Sequence, residues 1–194
     1  MTDIIEISAI CIFTILVLYT LFSIPAMLIL PPGIRPGLEE LTIEEAVGSL
    51  KSMNLPDLEL IQETRKLLVT RMQYCRRNSY DSYRTAFRRG YGYCVQQAFA
   101  LNFLLTELGF ESKVAQSHKN RFANGTTGGH AWVRIHYNNT IIEIDPSDKN
   151  WQNEKMTFVP LKKVTGFSFF FRILTIWGSA GVNAYKYYTK GKDE

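Results

Sequence analysis

The stretch from residue 90 to residue 110, GYGYCVQQAFALNFLLTELGF, constrains the fold of this chain more than any other. Behind two glycines, small and apolar residues recur at steps of four and three, the spacing of one face of an α-helix. The residues on this face are Cys94, Ala98, Leu101, Leu105 and Leu108. The sequence therefore predicts a buried helix that begins at Cys94 and ends near Gly109, with the positive end of its dipole close to the Cys94 sulfur.

A β-hairpin is predicted downstream, with HAWVRIHY as its first strand and TIIEIDPS as its second. If the loop is the NN between them, His130 and Asp145 share one face of the hairpin and are diagonal neighbours. We expect the Cys94 helix to pack across this face and to bring the three groups together. A thiol, an imidazole and a carboxylate so arranged are a nucleophile, its base and the group that orients the base.

These motifs carry a resemblance to a known family. The pattern G-Y-C-x-Q-x-A-x-x-L-x-x-L-L-x-x-L-G-F, then H-A-W-V-R, then a strand ending in I-D-P-S, resembles the core of the transglutaminase-like superfamily, which is related to papain-like thiol enzymes. The resemblance covers about residues 60 to 150. It implies that Cys94 is the nucleophile, that His130 is the base and that Asp145 orients the base.

The resemblance also implies a fold class and a reaction. The fold would be α+β and papain-like, with helices packed on a small antiparallel sheet. The reaction would act on amide or peptide bonds of a protein or peptide substrate, through an acyl-enzyme that passes to water or to an amine. Arylamine acetyltransferases share the order of the three residues, but this chain is too short for their additional domains, so that activity ranks second. A membrane-tethered binding module without catalysis is the alternative from another class.

Further site residues are less well determined. The backbone N–H of Cys94 is a natural oxyanion donor. Candidates for a second donor or for the cleft wall are Gln73, Tyr93 and Trp132, although packing is the alternative for the last two. No pair of cysteines or histidines has ligand spacing and no carboxylate cluster has a calcium-loop pattern, so neither a metal nor another cofactor is predicted.

The remaining cysteines and the basic residues favour plain interpretations. Cys11 is a small hydrophobe in an apolar run, and a disulfide between Cys75 and Cys94 would remove the nucleophile, so free thiols are favoured. Arginines alternate with aromatic residues between positions 73 and 93. Such a segment can bind single-stranded nucleic acid. We favour a solvated face near lipid headgroups over that partner, and a role in lining the cleft is a third alternative.

Near the N-terminus, the 24 residues from Ile7 to Leu30 contain no charge. As a helix they extend about 36 Å, enough for the hydrocarbon layer, and the preceding leader lacks Lys and Arg, so an uncleaved single-pass anchor is favoured over a cleaved signal. The predicted organisation is an anchor over 1–31, a linker over 32–41, a catalytic domain over 42–163, and a C-terminal apolar helix with a basic tail over 164–194. For residues 164–182 we favour a helix that lies at the membrane interface or packs on the anchor, and a second span is the alternative.

Other elements are predicted around the catalytic core. Thr42 and Glu45 form a capping box for one helix, and a second helix follows residues 54–57. Residues 112–117 are expected to form a strand, and the polar, glycine-rich residues 118–129 a mobile lid. The inward positions of the second helix are predicted to be Leu58, Ile61, Leu68 and Met72.

Overall fold

The computed structural model describes residues 2–28, 33–75, 78, 81–148, 156–168, 173, 177, 181, 184–185 and 188–189. The helices are α1 (Thr2–Leu28), α2 (Ile43–Ser52), α3 (Asp57–Arg71), α4 (Tyr83–Arg89) and α5 (Cys94–Glu107). The strands are β1 (Gln73–Tyr74), β2 (Tyr91–Gly92), β3 (Glu111–Phe122), β4 (Thr127–Tyr137), β5 (Thr140–Ile144), β6 (Phe158–Pro160) and β7 (Thr165–Gly166). The main sheet is antiparallel in the order β5-β4-β3-β6, with β7 also paired to β3, and β1 and β2 form a separate parallel pair. The fold is α+β, with helices packed on a curled antiparallel sheet, as predicted.

Helix α5 confirms the helix predicted from the apolar spacing. It begins at Cys94, and its C-terminus is closed by Gly109, whose φ of 96° is one that glycine adopts without strain. The Gly109 N–H donates to the Thr106 carbonyl and the Phe110 N–H to the Leu105 carbonyl, both at 3.0 Å. Helices α2, α3 and α4 cover one side of α5, and strands β3 and β4 cover the other.

The β4–β5 hairpin has the predicted two-residue turn. Asn138 and Asn139 have φ angles of 46° and 59°, and Tyr137 pairs with Thr140. Two positive φ angles in succession are typical of a type I′ turn, which suits asparagine and follows the twist of the strands. The turn fixes the register and therefore decides which side chains share a face.

Helix α5 packs on the face of this hairpin opposite to the one that we predicted. Ala131, Val133 and Ile135 belong to the same buried cluster as Cys94, whereas Trp132 lies on the other face in a separate small cluster. The reason is hydrophobic: these three alternate residues form an unbroken apolar row, and burial of such a row against α5 outweighs any preference set by His130. The candidate site residues meet instead at one end of α5, where Cys94 and His130 line the same cavity.

The predicted lid over residues 118–129 is wrong, because most of this segment belongs to a second hairpin. Strand β3 runs to Phe122 and β4 begins at Thr127, with a register shift between Ser117 and Asn120. Gly125 occupies the turn with a φ of 80°. The composition was typical of a loop, but the Asn-Gly pair before Thr126 is a hairpin signal that the prediction did not use.

The first helices follow their sequence signals with one exception. Thr42 and Glu45 form the capping box of α2, with the Thr42 N–H donating to Glu45 Oε2 at 2.7 Å. In α3, Ile61 and Leu68 are buried as predicted, and so is Met72 just beyond it. The prediction for Leu58 is wrong: this residue lies in the first turn of α3, ahead of the first buried residue of the helix at Ile61, and is 46% exposed.

Helix α1 contacts described residues of the C-terminal segment. Within α1, the stretch Glu6–Ile24 is long and apolar enough to cross a membrane. The Tyr19 hydroxyl donates to the Trp177 carbonyl at 2.6 Å, and the ring centroids of Phe22 and Tyr188 lie 4.9 Å apart. The C-terminal helix predicted over 164–182 does not begin at 164, since residues 165–166 form β7, and most of its remainder lies outside the described residues.

Candidate active site

The Cys94 sulfur lies in the first turn of α5, and the start of this helix is fixed by side chains. Gln96 Oε1 accepts from the Tyr93 N–H at 3.0 Å, and Gln96 Nε2 donates to the Asp81 carbonyl at 2.9 Å. At Gly92 a Cβ atom would lie 2.6 Å from Met72 Cε, so the chain approaches its neighbours too closely there for a larger residue. The first turn of a helix has free N–H groups and the positive end of the dipole, which favour an anionic sulfur.

The imidazole of His130 is held by Asp145. Its Nε2 donates to Asp145 Oδ2 at 2.7 Å, and Asp145 Oδ1 accepts from the Ser147 N–H at 2.8 Å. Both side chains are less than a tenth exposed. Since Nε2 is used for Asp145, Nδ1 is the nitrogen left to interact with Cys94, which contributes to the raised pKa of His130. The structure thus brings together the three residues that the sequence singled out.

Aromatic side chains enclose the His130 ring. The rings of Phe122 and Phe158 stand edge-on to it, with centroids 5.5 and 4.7 Å away, and Trp132 lies parallel to it at 6.3 Å. Close packing on these sides restricts rotation of the imidazole. The ring is therefore oriented by packing as well as by the Asp145 carboxylate. Phe122 and Phe158 were not among the residues that the sequence indicated, because each comes from a segment whose strand was not predicted.

The environment of His130 favours its charged form. Burial opposes protonation, but hydrogen bonds to Asp145 and Cys94, together with the charges of these two groups, raise the pKa of His130 to about 10. The opposing effects therefore end in favour of the anionic neighbours. The raised pKa favours the imidazolium, the state in which His130 can stabilise a thiolate and later donate a proton to a leaving group.

A cavity of about 690 Å³ opens onto these groups. It is lined on one side by Cys94, Val95 and the neighbouring Tyr93. On the other side it is lined by the β3–β4 hairpin, including residues 126–131, and by the turn after β5. The segment that we predicted to be a lid is thus a wall of the cavity. The volume is in the range of ligand-binding clefts.

The three further site candidates lie in different places. Tyr93 is buried and lines the cavity beside Cys94. Trp132 is fully buried behind His130, and its Nε1 donates to Glu143 Oε1 at 3.4 Å. It therefore packs against the His130 ring and is not among the described residues that line the cavity. Gln73 lies in the short β1 pairing, exposed and outside the set of described residues that line the cavity.

Sequence reasoning missed two polar residues near the site. Gln116 lines the cavity and is buried, and its Nε2 donates to the Gly166 carbonyl at 3.3 Å. Arg65 of α3 donates to the main-chain oxygen of Asp148, which also lines the cavity. Burial lowers the pKa of Arg65, and the charges of Asp148 and Asp145 oppose this change. Gln116 could have been predicted, because it is a polar residue inside the apolar strand segment VAQS. No feature of the sequence indicated Arg65.

The chemical groups around the cavity are those of its lining residues. They are a thiol, an imidazole, carboxylates, hydroxyls and amides. Cys11, Cys75 and Cys94 are free thiols. Among the residues that the structure describes, there is no cluster of three or more His, Cys, Asp or Glu side chains suited to a metal ion.

Comparisons with known proteins give limited similarity. No protein-family model matches the chain, and no curated protein matches it either. A solved structure described as "Crystal structure of a TGase" is similar over 59% of this chain, with 16% identity and a TM-score of 0.46. The match covers 32% of that chain, so this chain spans about a third of its length.

Proposed function

We propose that this chain is a membrane-anchored thiol enzyme of the transglutaminase-like kind, which acts on amide bonds of a protein or peptide substrate. The observation that carries the proposal is the hydrogen bond from His130 to Asp145 at 2.7 Å, with Cys94, His130 and Asp145 all lining the same cavity. This arrangement provides the nucleophile, the proton carrier and the orienting acid that acyl transfer requires.

In the proposed reaction the Cys94 thiolate attacks the substrate carbonyl and forms a C–S bond, while the carbonyl oxygen becomes an oxyanion. The N–H groups in the first turn of α5, that of Cys94 among them, would donate to this oxyanion. His130 then gives its Nδ1 proton to the departing amine as the C–N bond breaks, which leaves a thioester and a neutral imidazole.

The second half of the reaction returns the enzyme to its starting state. Water or an amine attacks the thioester, and His130 accepts the proton of the attacking group. The C–S bond breaks, so that the product is a carboxylic acid or a new amide and the thiolate–imidazolium pair is restored. Asp145 keeps its bond to Nε2 throughout and holds the imidazole toward the sulfur.

The membrane part of the proposal rests on α1. Its Glu6–Ile24 stretch is 6% buried within the molecule, so its apolar side chains face outward along nearly the whole length. Such a surface is suited to lipid. Anchoring by α1 would keep the enzyme beside membrane-associated substrates, and the contacts between α1 and Trp177 would bring the C-terminal segment to the same anchor.

The first test is labelling of the purified protein with iodoacetamide, followed by peptide mapping. Because His130 favours a thiolate at Cys94, we expect Cys94 to react at least tenfold faster than Cys75 at pH 7, although Cys94 is the more buried thiol. The variant His130→Gln should reduce this difference, and His136→Gln, on the exposed end of the same strand, is the matched control. Equal rates at the two cysteines in the wild-type protein would refute the proposed nucleophile.

A further inference from the structure

In the part of the chain that the structure describes, the outer edge of β4 next to the proposed nucleophile pairs with no strand. Strand β5 pairs with β4 only from Tyr137 to Val133, where Ile144 is the last partner. Continuing the register places Pro146 opposite Ala131, and proline has no N–H to donate to a ladder. Within the described part of the chain, no strand pairs with this edge between residues 127 and 132.

The direction of the backbone groups along this edge follows from alternation. The Asn120 side chain on β3 donates to the Gly128 carbonyl at 3.1 Å, and the Phe122 N–H donates to the Thr126 carbonyl at 2.9 Å. In residues 126–130, the even-numbered residues therefore direct their backbone N–H and carbonyl groups toward β3. In a strand the backbone groups of neighbouring residues face opposite sides, so those of Thr127 and Gly129 point outward.

This open edge belongs to the cavity that contains Cys94. Thr127, Gly128 and Gly129 all line it, and His130 follows directly. Gly129 is exposed and has no side chain that would cover its N–H and carbonyl. An unpaired strand edge offers a row of hydrogen-bonding groups to any extended chain laid beside it.

We propose that the outward backbone groups of Gly129 and Thr127 bind the substrate as an added strand, so that the enzyme takes an extended peptide rather than an isolated small amide. This inference rests on the proposed function, because the edge leads to the Cys94 sulfur. Recognition through main-chain hydrogen bonds gives affinity without demanding particular side chains. The attacked carbonyl then lies at the end of the bound strand, beside Cys94 and His130.

The experiment uses three thiol-directed probes on the full-length protein. A chloroacetyl tripeptide amide reports binding along the edge, its counterpart with every peptide nitrogen methylated lacks the N–H donors, and iodoacetamide reports the reactivity of the thiol alone. In each reaction the cysteine sulfur displaces the halide and forms a thioether. Rates are measured at Cys94 and at Cys75, which corrects for the intrinsic reactivity of each probe.

We expect Cys94 of the wild-type protein to prefer the unmethylated peptide about three- to thirtyfold over the methylated one, the range for one or two hydrogen bonds. Gly129→Pro, which replaces the outward N–H by a ring methylene, removes a donor to a peptide carbonyl and should lower the rate of the unmethylated peptide at Cys94, relative to iodoacetamide, at least threefold. Gly129→Ala is the matched control: its Cβ would lie 3.5 Å from the nearest atom, an ordinary contact, and it keeps the N–H, so this relative rate should remain.

The outcomes separate this inference from the proposed function. If iodoacetamide labels Cys94 no faster than Cys75, both are overturned. If iodoacetamide labels Cys94 rapidly but the two peptides react equally, the strand-addition site is overturned and the nucleophile stands. Should Gly129→Pro fail to fold, the comparison of the two peptides on the wild-type protein decides the inference alone.

Discussion

The two faces of strand β4 lie against different parts of the molecule and hold different kinds of side chain. Ala131, Val133 and Ile135 face α5 and are buried in the main core. On the other face, the polar ends of His130 and Arg134 bind carboxylates of the chain that follows, at Asp145 and Glu143. The comparison suggests that the two faces have different roles: one stabilises the fold and the other orients the proposed base.

The largest effect on function should come from the second face. Changing Asp145→Asn keeps the size of the side chain but removes the charge that holds and stabilises the His130 imidazolium. We expect acyl transfer or hydrolysis, measured as kcat/KM on a peptide substrate, to fall on the order of 10³- to 10⁴-fold. Asp148→Asn, two residues beyond Pro146, is the matched control and should lose less than tenfold. Comparable losses in both variants would assign the effect to charge in the cavity rather than to orientation of His130.

The largest effect on stability should come from the first face. Ile135→Ala removes a fully buried side chain between β4 and α5, and we expect it to lower the free energy of unfolding by about 2–5 kcal/mol. Ile141→Ala in the same hairpin is the matched control, because Ile141 is 55% exposed and lies on the other face, and it should cost about 0.5 kcal/mol or less. Urea unfolding of the two variants measures the difference. Equal costs would contradict the placement of α5.

The sequence was sufficient to predict those elements whose local residue patterns agree with the packing around them. The spacing of the α5 face, the Thr42 capping box and the Asn138-Asn139 turn each predicted an observed feature, and the turn alone made His130 and Asp145 neighbours. In each case the deciding interactions lie within a few residues along the chain, so they can be read without knowledge of the rest of the fold.

The sequence failed where distant segments decide. The side of the hairpin that α5 covers depends on competition between two buried faces. We predicted the face of His130 because of its possible chemistry, but the apolar row that contains Val133 and Ile135 indicates the correct face. The aromatic enclosure of His130 depends on Phe158, which joins the sheet from a segment after β5. Arg65 reaches Asp148 from α3, 83 residues earlier in the chain, and no spacing rule links the two.

The smallest of these effects concerns pH and links the two faces through His130. Its pKa is raised to about 10 in the folded protein, above the ordinary value of 6.5. The folded state therefore binds the proton more tightly, so this contribution to stability is complete below about pH 6.5 and is lost as the pH rises toward 10. The loss cannot exceed about 1.4 kcal/mol per pH unit for one group.

The measurement is the free energy of unfolding in urea at pH 6, 8 and 10 for the wild-type protein and for Asp145→Asn. The wild-type protein should lose stability on the alkaline side, whereas the variant, without the carboxylate that raises the pKa, should lose less over the same range. Alkaline unfolding from other causes would affect both proteins alike and cancels in the comparison. Parallel pH profiles would mean that the Asp145 carboxylate does not hold the proton on His130. The role proposed for the second face of β4, orientation of the base, would then be contradicted.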